Sequence, residues 1–312
     1  MDVGIIGAGM AGLACATRLK AAGHHVRLFD KGRGPGGRMA ARRVEIGGAE
    51  RTFDHGAQYF TARDPRFAAQ VAKWREQGLV ATWEAAGPDI WVGTPAMNAP
   101  VRALSEPLDV TWNCPIKQLG REDGRWRVDG ADAGLFDALA VAIPAEQAAA
   151  LMKEVAPRFA AAAAKVPSLP CWTLMTAFAE PLPLAFDIVR GEKQDALGWA
   201  ARDSAKPGRG PGERWLVQAG SQWSQRHLED APEAVAAALL AALRQEAGVP
   251  LLLPQYQTAH RWRYARTTAN ETVVLWDAAA RIGACGDWCR GARVEDAWLA
   301  GDALAGSMLQ AI

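Results

Sequence analysis

The sequence predicts an α/β fold that opens with a doubly wound, Rossmann-type dinucleotide-binding domain and carries a second domain packed against it. Residues 3–6 form an apolar run of strand length, a helix-like segment follows over residues 10–22, and residues 24–30 form a second strand ending in a carboxylate. Between the first strand and the helix stand three glycines with the spacing G-x-G-x-x-G, Gly7, Gly9 and Gly12. A chain of 312 residues is too long for one ordinary core and suits two closely packed domains.

Each conspicuous residue of this opening segment has a mechanical reason to be there. Gly7 allows a tight turn, Gly9 lets the backbone approach a pyrophosphate bound at the helix N-terminus, and Gly12 lets the helix pack closely on the strand. Asp30 lies roughly 20 residues downstream, where an acidic side chain accepts the hydroxyls of an adenosine ribose. The combination of strand, glycines, helix and distal acid therefore predicts a dinucleotide site.

The charge balance of the chain excludes several classes of function. Lysine and arginine number 35, aspartate and glutamate number 34, and the formal net charge is +1. A basic field for nucleic acid is therefore absent from the composition, as is a charged stripe for a membrane surface. No apolar run approaches the roughly 20 residues that span a bilayer. The first strand begins so early in the sequence that we expect no signal peptide.

The number and spacing of the cysteines indicate whether the chain works in a reducing or an oxidising compartment. The five scattered cysteines favour a reducing environment over a disulfide framework. Cys285 and Cys289 are near neighbours, but no second pair of cysteines or histidines completes a metal site, so we interpret both as structural and expect no metal. We expect a cytoplasmic protein, by default a monomer, without nucleic-acid or membrane partners.

Hydrophobic periodicity and punctuating residues predict the other elements. Helices are expected over residues 66–77, from 95, over 145–153, 159–165 and 232–247, and from 293. Strands are expected within 79–91, at 110–112, 116–119 and 126–128 as a meander, over 136–143 as a buried parallel strand, and at 172–179, 196–200 and 215–219 in a second sheet. The Pro-, Gly- and charge-rich residues 204–214 are expected to form a separating loop.

A second glycine-rich segment, residues 31–39, carries the cationic side chains Lys31, Arg33 and Arg38. Beside a bound pyrophosphate, these charges and the free backbone N–H groups have an obvious use. A solvated turn is the alternative interpretation of the same composition.

Several motifs together resemble the FAD-dependent amine-oxidase-like flavoproteins. They are the G-x-G-x-x-G, Asp30, Gly36-Gly37-Arg38, Asp54-x-Gly56-Ala57 and the late Gly286-Asp287. Within that superfamily the chain is similar to bacterial renalase-like proteins, through segments that run over nearly its whole length: 29–31, 56–64, 221–224, 259–265 and 285–289.

The resemblance implies a fold and a non-covalently bound FAD. The fold would be of the p-hydroxybenzoate hydroxylase-like or amine oxidase-like type. An FAD-binding domain would comprise residues 1–75, 105–150 and 266–312, and an inserted substrate domain of mixed β-sheet and helix would comprise 76–104 and 151–265.

The resemblance also implies which residues contact the cofactor. The glycine turn would contact the pyrophosphate and Asp30 the adenosine ribose, while Arg38 would hold phosphate or face the flavin. His55 to Gln58 would line the isoalloxazine, Ile116 would reach the adenine by its backbone, and Asp287 would bind the ribityl or pyrophosphate region. The full predicted set is Gly7, Ala8, Gly9, Met10, Ala11, Gly12, Asp30, Lys31, Gly37, Arg38, Met39, His55, Gly56, Ala57, Gln58, Ile116, Ala142, Gly286, Asp287, Val294, Glu295 and Ala297.

The last helix raises one departure from the family pattern. Val294, Glu295 and Ala297 would set its N-terminus against the flavin pyrimidine edge, where the helix dipole would stabilise the negative charge of the reduced ring. Asp296 stands where the family usually has a small residue, often glycine. An acid close to the flavin would oppose reduction, so we expect Asp296 to be turned away.

The likeness to renalase-like proteins implies a specific reaction. They oxidise misreduced dihydro isomers of NAD or NADP by hydride transfer to FAD, and O2 is then reduced to H2O2. Such a transfer needs no general base, and we assign no certain catalytic residue. A planar nicotinamide suits an aromatic slot, with Gln58 and His260 hydrogen-bonded to its carboxamide, although core packing is the simpler explanation for any one tryptophan. The pocket candidates are Gln58, Tyr59, Trp172, Trp223, His260, Trp262 and Tyr264.

Two alternatives stay open at this point. A true amine oxidase often carries a cysteine bonded to FAD near its C-terminal aromatic segment, but residues 260–266 contain none, and no acidic or aromatic cage for a cation is evident. A flavin-binding sensor or scaffold without turnover would need only the cofactor residues. An extra ribose phosphate on the substrate could be served by Arg63, Arg66 or Lys73.

Overall fold

The computed structural model describes residues 1–130, 134–248, 253–268 and 274–311. Within these ranges the helices are α1 (Met10–Ala21), α2 (Pro65–Glu76), α3 (Ala99–Ser105), α4 (Ala145–Met152), α5 (Pro157–Ala164), α6 (Ser221–Arg226), α7 (Pro232–Ala247) and α8 (Val294–Gln310). The strands are β1 (Asp2–Ile6), β2 (His25–Phe29), β3 (Arg42–Ile46), β4 (Ala49–Phe53), β5 (Val80–Thr82), β6 (Trp91–Gly93), β7 (Asp109–Thr111), β8 (Leu119–Glu122), β9 (Arg125–Val128), β10 (Leu135–Phe136), β11 (Ala138–Val141), β12 (Ser168–Phe178), β13 (Ile188–Arg190), β14 (Trp199–Arg202), β15 (Glu213–Gln218), β16 (Tyr256–Thr267), β17 (Leu275–Asp277) and β18 (Ile282–Ala284).

A six-stranded sheet has the order β17-β18-β11-β1-β2-β7. Its strands are parallel except β17, which runs antiparallel to β18. The chain leaves β1 towards β2 on one side and joins β11 on the other, so the carboxyl end of β1 lies at a switch in strand order. Ligands of open α/β sheets bind at such a switch point. This confirms the predicted α/β class with its Rossmann-type domain.

The core of this layer explains the apolar opening of the chain. Val3 and Ile5 are fully buried in this layer, where β1 packs against both α1 and strand β10 of the antiparallel unit. Helices α1 and α8 pack so closely that a β-carbon at Gly301 would overlap the carbonyl oxygen of Ala11. The N-terminus of α1 and the end of the chain thereby belong to one layer.

The second sheet is antiparallel, with the order β13-β14-β15-β12-β16. One of its faces packs on α7 through a core that includes Trp172, Leu174 and Val217. The other face packs on the hairpin β3–β4, where Phe53 meets Met175, Ala177 and Leu216. Since side chains alternate along a strand, each strand serves both faces.

The structure corrects the predicted meander. Residues 110 and 111 belong to β7, which pairs in parallel with β2 through Leu28 and Val110, and the antiparallel unit is β8–β9–β10 instead. The strand predicted at 196–200 begins at Trp199. Strand β16 and the hairpin β3–β4 were not predicted, because their polar and cationic side chains conceal the apolar alternation expected of a strand.

Two further features bear on the sequence expectations. All five cysteines are free, and burial raises the pKa of the Cys285 and Cys289 thiols, as befits structural cysteines. In the part of the chain that the structure describes, no helix combines the length and apolar character needed to cross a membrane. The predicted domain boundaries stay a prediction.

Candidate active site

The glycine turn after β1 has the form that a dinucleotide requires. Gly7 has φ +101°, and a β-carbon there would overlap the carbonyl oxygen of Ala142. A β-carbon at Gly12 would overlap the carbonyl oxygen of Gly7, so α1 packs directly on the turn. A β-carbon at Gly9, by contrast, would meet nothing within 4 Å. The open space therefore lies at Gly9, at the positive N-terminus of α1, where a pyrophosphate binds best.

Asp30 ties this turn to the following loop. Its carboxylate accepts hydrogen bonds from the backbone N–H of Ala8 (2.7 Å) and of Gly32 (2.6 Å). A carboxylate offers about four lone-pair sites, so it can also accept from a ribose hydroxyl. Ile116 is half-buried two residues beyond Cys114, whose N–H donates to the Asp30 carbonyl, which places the predicted adenine contact beside the predicted ribose contact.

Arg38 and Asp287 were predicted as separate cofactor contacts and lie against each other. Two Arg38 nitrogens donate to the two carboxylate oxygens of Asp287, each at 2.6 Å. The carbonyl of Arg38 accepts from the N–H of Ala57 (2.8 Å), and the loop reaches Gly9 through Gly37. Four of the predicted cofactor segments, from distant parts of the sequence, thereby meet in one place.

The start of α8 is held by its own acids. Glu295, 1% exposed, accepts the backbone N–H groups of Arg63 and Asp64, both at 2.6 Å, and so joins α8 to the start of α2. The carboxylate of Asp296 folds back to accept from the guanidinium of Arg293 at 2.9 and 3.1 Å. This ion pair compensates the negative charge of the Asp296 carboxylate. The orientation of that carboxylate away from a flavin stays a prediction.

One residue from each of four adjacent strands forms a row across the second sheet. The backbone register pairs Trp199 with Gln218, Gln218 with Thr173, and Thr173 with His260. Directly paired residues project from the same face of a sheet. We call these four residues the cross-sheet row.

The cross-sheet row faces the segment between β4 and α2. Tyr59 packs against Trp199 with ring centroids 5.6 Å apart. Gln218 donates its side-chain amide to the carbonyl of Gly56 at 2.8 Å. At the far end of the row, the rings of His55 and His260 are 4.9 Å apart. The predicted flavin segment and the predicted substrate sheet therefore form one surface.

A cluster of two histidines and a tryptophan closes one side of this surface. Trp262 lies 5.1 Å from His55 and 4.6 Å from His260 by ring centroids, and its Nε1 donates to the His55 carbonyl at 2.7 Å. Burial, the His260 ring and Arg42 lower the pKa of His55 from 6.5 to about 3. Burial and Arg42 lower the pKa of His260 to about 4. Both imidazoles are therefore neutral at neutral pH.

These two depressed pKa values make stability depend on pH. Between about 6.5 and 4 the unfolded histidines bind protons that His55 and His260 in the folded chain do not, so the free energy of unfolding falls as the pH falls through that window. Urea unfolding at several pH values measures the slope. The variant His260→Phe keeps a ring but cannot titrate, so its slope should be shallower. Identical slopes for the variant and the wild type would contradict the assignment.

The structure does not bring Trp172 to this surface. Trp172 precedes Thr173 in β12, so its side chain points to the opposite face, where it is 1% exposed and donates to the His227 carbonyl at 2.8 Å. Trp223 lies on α6 and stacks on His227 at 3.9 Å. Tyr264 is half-buried on β16, two residues beyond Trp262. The surface thus gathers Tyr59, Gln58, His260 and Trp262 from the predicted pocket.

Gln58 lies at this surface, but its side-chain amide is already hydrogen-bonded to other groups of the protein. Its Nε2 donates to the carbonyls of Asp54 (2.6 Å) and Gly56 (3.0 Å), and its Oε1 accepts from Lys206 Nζ at 3.1 Å. An amide with these partners holds the loop shape and has little capacity left for a substrate carboxamide. His260 is then the stronger candidate for that contact.

Sequence reasoning missed a buried ionic network beside the site. Asp54 accepts from Lys206 (3.3 Å) and from Arg209 (2.5 and 3.0 Å), and Lys206 also donates to Asp203 at 2.9 Å. All four side chains are fully buried. Burial acts to raise the pKa of Asp54, but the two cations outweigh it and lower that pKa, whereas burial raises the pKa of Asp203. The charge-rich composition of residues 204–214, interpreted as a separating loop, was the available signal.

Family models match both parts of the chain. Residues 5–74 match the NAD(P)-binding Rossmann-like domain, and residues 81–309 match the flavin-containing amine oxidoreductase family. The chain belongs to the flavin-containing amine oxidoreductases. It is a flavin-dependent oxidoreductase, and the predicted flavin cofactor is confirmed.

Solved structures share the fold of this flavin-containing amine oxidoreductase along its whole length. A protein assigned as a protoporphyrinogen oxidase from Exiguobacterium sp. 255-15 has a TM-score of 0.76 at 14% identity, covering 99% of each chain. Wild-type putrescine oxidase bound to putrescine has 0.68 at 14% identity, again covering 99% of each. Cyclohexylamine oxidase from Brevibacterium oxydans IH-35A has 0.72 at 13% identity, covering 99% of this chain and 98% of the other. At these identities the likeness concerns the fold.

The residues of this flavin-containing amine oxidoreductase fit the cofactor of its family. The space over Gly9 admits a pyrophosphate, and the Asp30 carboxylate suits a ribose. The Nδ1 atom of His55 is buried without a hydrogen-bond partner, on the segment predicted to line the isoalloxazine. Because buried polar atoms are normally hydrogen-bonded, we expect a ligand or an ordered water to be its partner.

Proposed function

We propose that the protein is a renalase-like oxidase that converts misreduced dihydro isomers of NAD(P) to NAD(P)⁺. Bound FAD supplies the hydride acceptor, and the electrons pass to O2 to give H2O2. The protein's own part is to bind the dihydropyridine ring, orient it and exclude water. The residues proposed for these tasks are Tyr59, Trp199, His260 and Trp262.

The observation that carries the proposal is the charge of the site. Its carboxylates already have cationic partners: Asp54 is paired with Lys206 and Arg209, and Asp287 is paired with Arg38. Among the described residues of the surface, the remaining groups are neutral rings, amides and one cation. A protonated amine finds no counter-charge there, whereas a dihydropyridine is neutral, flat and gives up a hydride without a base.

The tautomer of His260 supports a contact with the carboxamide. Nδ1 of His260 lies 3.5 Å from Nη2 of Arg42. An arginine only donates hydrogen bonds, so Nδ1 is the acceptor and the proton of the neutral ring sits on Nε2. We infer that this Nε2–H donates to the carboxamide oxygen, while Tyr59 and Trp199 pack on the ring.

A second candidate is an amine oxidase, which the family model favours by its description. For that activity the amine would have to enter deprotonated, because the surface offers a cation, Arg42, in place of a carboxylate. A flavin protein without turnover is the remaining alternative.

Anaerobic stopped-flow absorbance of the FAD-loaded protein separates these candidates. The donors are authentic 4-dihydro-NAD(P)H, a mixture of the 2- and 6-dihydro isomers, and a simple arylalkylamine. We expect rapid flavin bleaching by the isomer mixture alone, with H2O2 appearing when air is admitted. Bleaching by the amine would overturn the proposal in favour of the amine oxidase, and no bleaching by any donor would favour an unknown substrate or a non-catalytic flavin protein.

The variant His260→Phe sharpens the test. Phenylalanine keeps a ring in place but removes the Nε2–H donor. Loss of one hydrogen bond in a buried site costs about 1–3 kcal/mol, so flavin reduction by the isomers should slow by roughly 5- to 150-fold. A variant as fast as the wild type would show that His260 does not contact the ring.

A further inference from the structure

Arg42 carries a charge that no acid of the described chain neutralises. It lies half-buried at the start of β3, and within 4.0 Å of its guanidinium the described residues place no carboxylate. Arg38 and Arg125 are also half-buried, but each is paired with an acid, Arg38 with Asp287 and Arg125 with Asp2. A partly desolvated guanidinium without a partner is costly unless a ligand supplies the anion.

The position of Arg42 relates it to the site. Its neighbours are Nδ1 of His260, at 3.5 Å, and Tyr256, whose pKa burial raises and the charge of Arg42 acts to lower. Tyr256 and His260 are four residues apart on β16. Because side chains alternate along a strand, both lie on the face that looks towards the β3–β4 hairpin. The guanidinium therefore lies along this face, directly beside the end of the cross-sheet row.

The surrounding groups leave the charge of Arg42 unscreened. His55 and His260 are neutral, and the positive charge of Arg42 is one cause of the depressed pKa of each. Burial raises the pKa of Tyr256, so its hydroxyl stays protonated. The protonated Tyr256 hydroxyl can donate a hydrogen bond. The cluster thus presents N–H and O–H donors together with a net positive charge.

We propose that Arg42, with the Tyr256 hydroxyl, binds the phosphate attached to the nicotinamide ribose of the substrate. The proposal rests on the proposed function, which puts the nicotinamide ring against His260. One ribose separates that ring from its phosphate, and one side-chain contact separates His260 from Arg42. A guanidinium offers a planar pair of donors that matches two phosphate oxygens.

This assignment concerns a different phosphate from the extra ribose phosphate of NADP, for which the sequence suggested Arg63, Arg66 or Lys73. Of the residues named there, Arg66 donates to the carboxylate of Asp64 at 2.9 and 3.1 Å and is committed to it. Arg42 is more buried than Arg66 and has no carboxylate partner among the residues described. It is the better placed cation for a substrate anion.

The test compares two ligands that differ only by the phosphate. The FAD-loaded protein is titrated with nicotinamide mononucleotide and with nicotinamide riboside, and binding is followed by the perturbation of flavin absorbance. The variants are Arg42→Met and, as a matched control, Arg43→Met, which removes an exposed cation from the neighbouring position of the same strand. Unchanged flavin spectra and circular dichroism verify that each variant is folded and loaded.

We expect Arg42→Met to weaken binding of the mononucleotide by at least tenfold, about 1.4 kcal/mol, and to leave binding of the riboside unchanged. Arg43→Met should change neither. The proposal is overturned if Arg42→Met weakens both ligands equally, because Arg42 would then only shape the site. It is also overturned if Arg43→Met has the same effect, because a diffuse field would then suffice.

An inorganic anion separates failure of this proposal from failure of the proposed function. Pyrophosphate is titrated into the wild type and Arg42→Met with the same absorbance readout. If neither nicotinamide binds but pyrophosphate binds the wild type alone, the anion site stands and the nicotinamide substrate is wrong. If pyrophosphate binds both proteins equally or neither, the anion site is wrong whatever the donor that reduces the flavin.

Discussion

Replacement of Asp54 by asparagine is expected to lower the free energy of unfolding by about 3–5 kcal/mol, because it leaves buried charges uncompensated. Asp54 is fully buried and is the shared anion of Lys206 and Arg209. Its Oδ1 also accepts the N–H of Met97 at 2.9 Å, so the variant weakens a third segment. Urea unfolding of the flavin-loaded and flavin-free protein measures the loss.

The same variant should also weaken FAD binding. Asp54 directly precedes His55 and Gly56, and Lys206 fixes the amide of Gln58, so loss of the network loosens the segment predicted to line the flavin. The matched control is Glu229→Gln, which breaks the exposed pairs with Arg261 and Arg263 and should leave the unfolding midpoint unchanged. Equal behaviour of the two variants would show that the buried network contributes no more than a surface pair.

Substitution of two glycines by alanine should separate cofactor binding from folding. Gly9 has φ −82°, which alanine tolerates, and its β-carbon would meet no protein atom, so Gly9→Ala should fold normally. The added methyl would occupy the space assigned to the pyrophosphate, and we expect FAD affinity to fall by at least about 100-fold, about 2.7 kcal/mol. Gly12→Ala forces a methyl against the Gly7 carbonyl and should destabilise the flavin-free protein by about 1–3 kcal/mol.

Thermal unfolding of the flavin-free proteins and titration with FAD by flavin fluorescence measure the two effects. Gly120→Ala is the control, since its β-carbon in β8 also meets nothing within 4 Å but lies far from the glycine turn in sequence and sheet. It should change neither quantity. If Gly9→Ala bound FAD as tightly as the control, the dinucleotide would not cross the turn at Gly9.

The sequence was sufficient for those parts of the site that are local in the chain. Strand β1, the glycine turn, α1 and β2 follow one another within 30 residues, and each is dictated by its own residues. The helix predicted at 232–247 coincides with α7 for the same reason. Periodicity and capping act over a few residues, so local elements can be inferred without the fold.

The contacts that complete the site are distant in sequence and could not be predicted in this way. Arg38 meets Asp287 and Lys206 meets Asp54 only because the fold brings together segments that lie far apart in the sequence. Charged side chains are rarely buried, so the charge-rich composition of 204–214 predicted only a separating loop and not a buried network. Trp172 shows a related limit, since alternation separates it from Thr173 but does not say which of them faces the site.

Alternation along the second sheet separates the tasks of neighbouring positions. Thr173 and Gln218 face the site, whereas Trp172 and Val217, the residues beside them in sequence, fill the core against α7. The positions that would select a substrate can therefore vary without disturbing the residues that keep the sheet folded. A lineage could exchange one substrate for another by changes at Trp199 and His260, while Gln218 keeps its hydrogen bond to Gly56 and the flavin half of the molecule stays constant. The same interleaving makes Trp199 and His260, the half-buried ends of the row, the first positions to randomise in an effort to redirect this oxidoreductase to a new substrate.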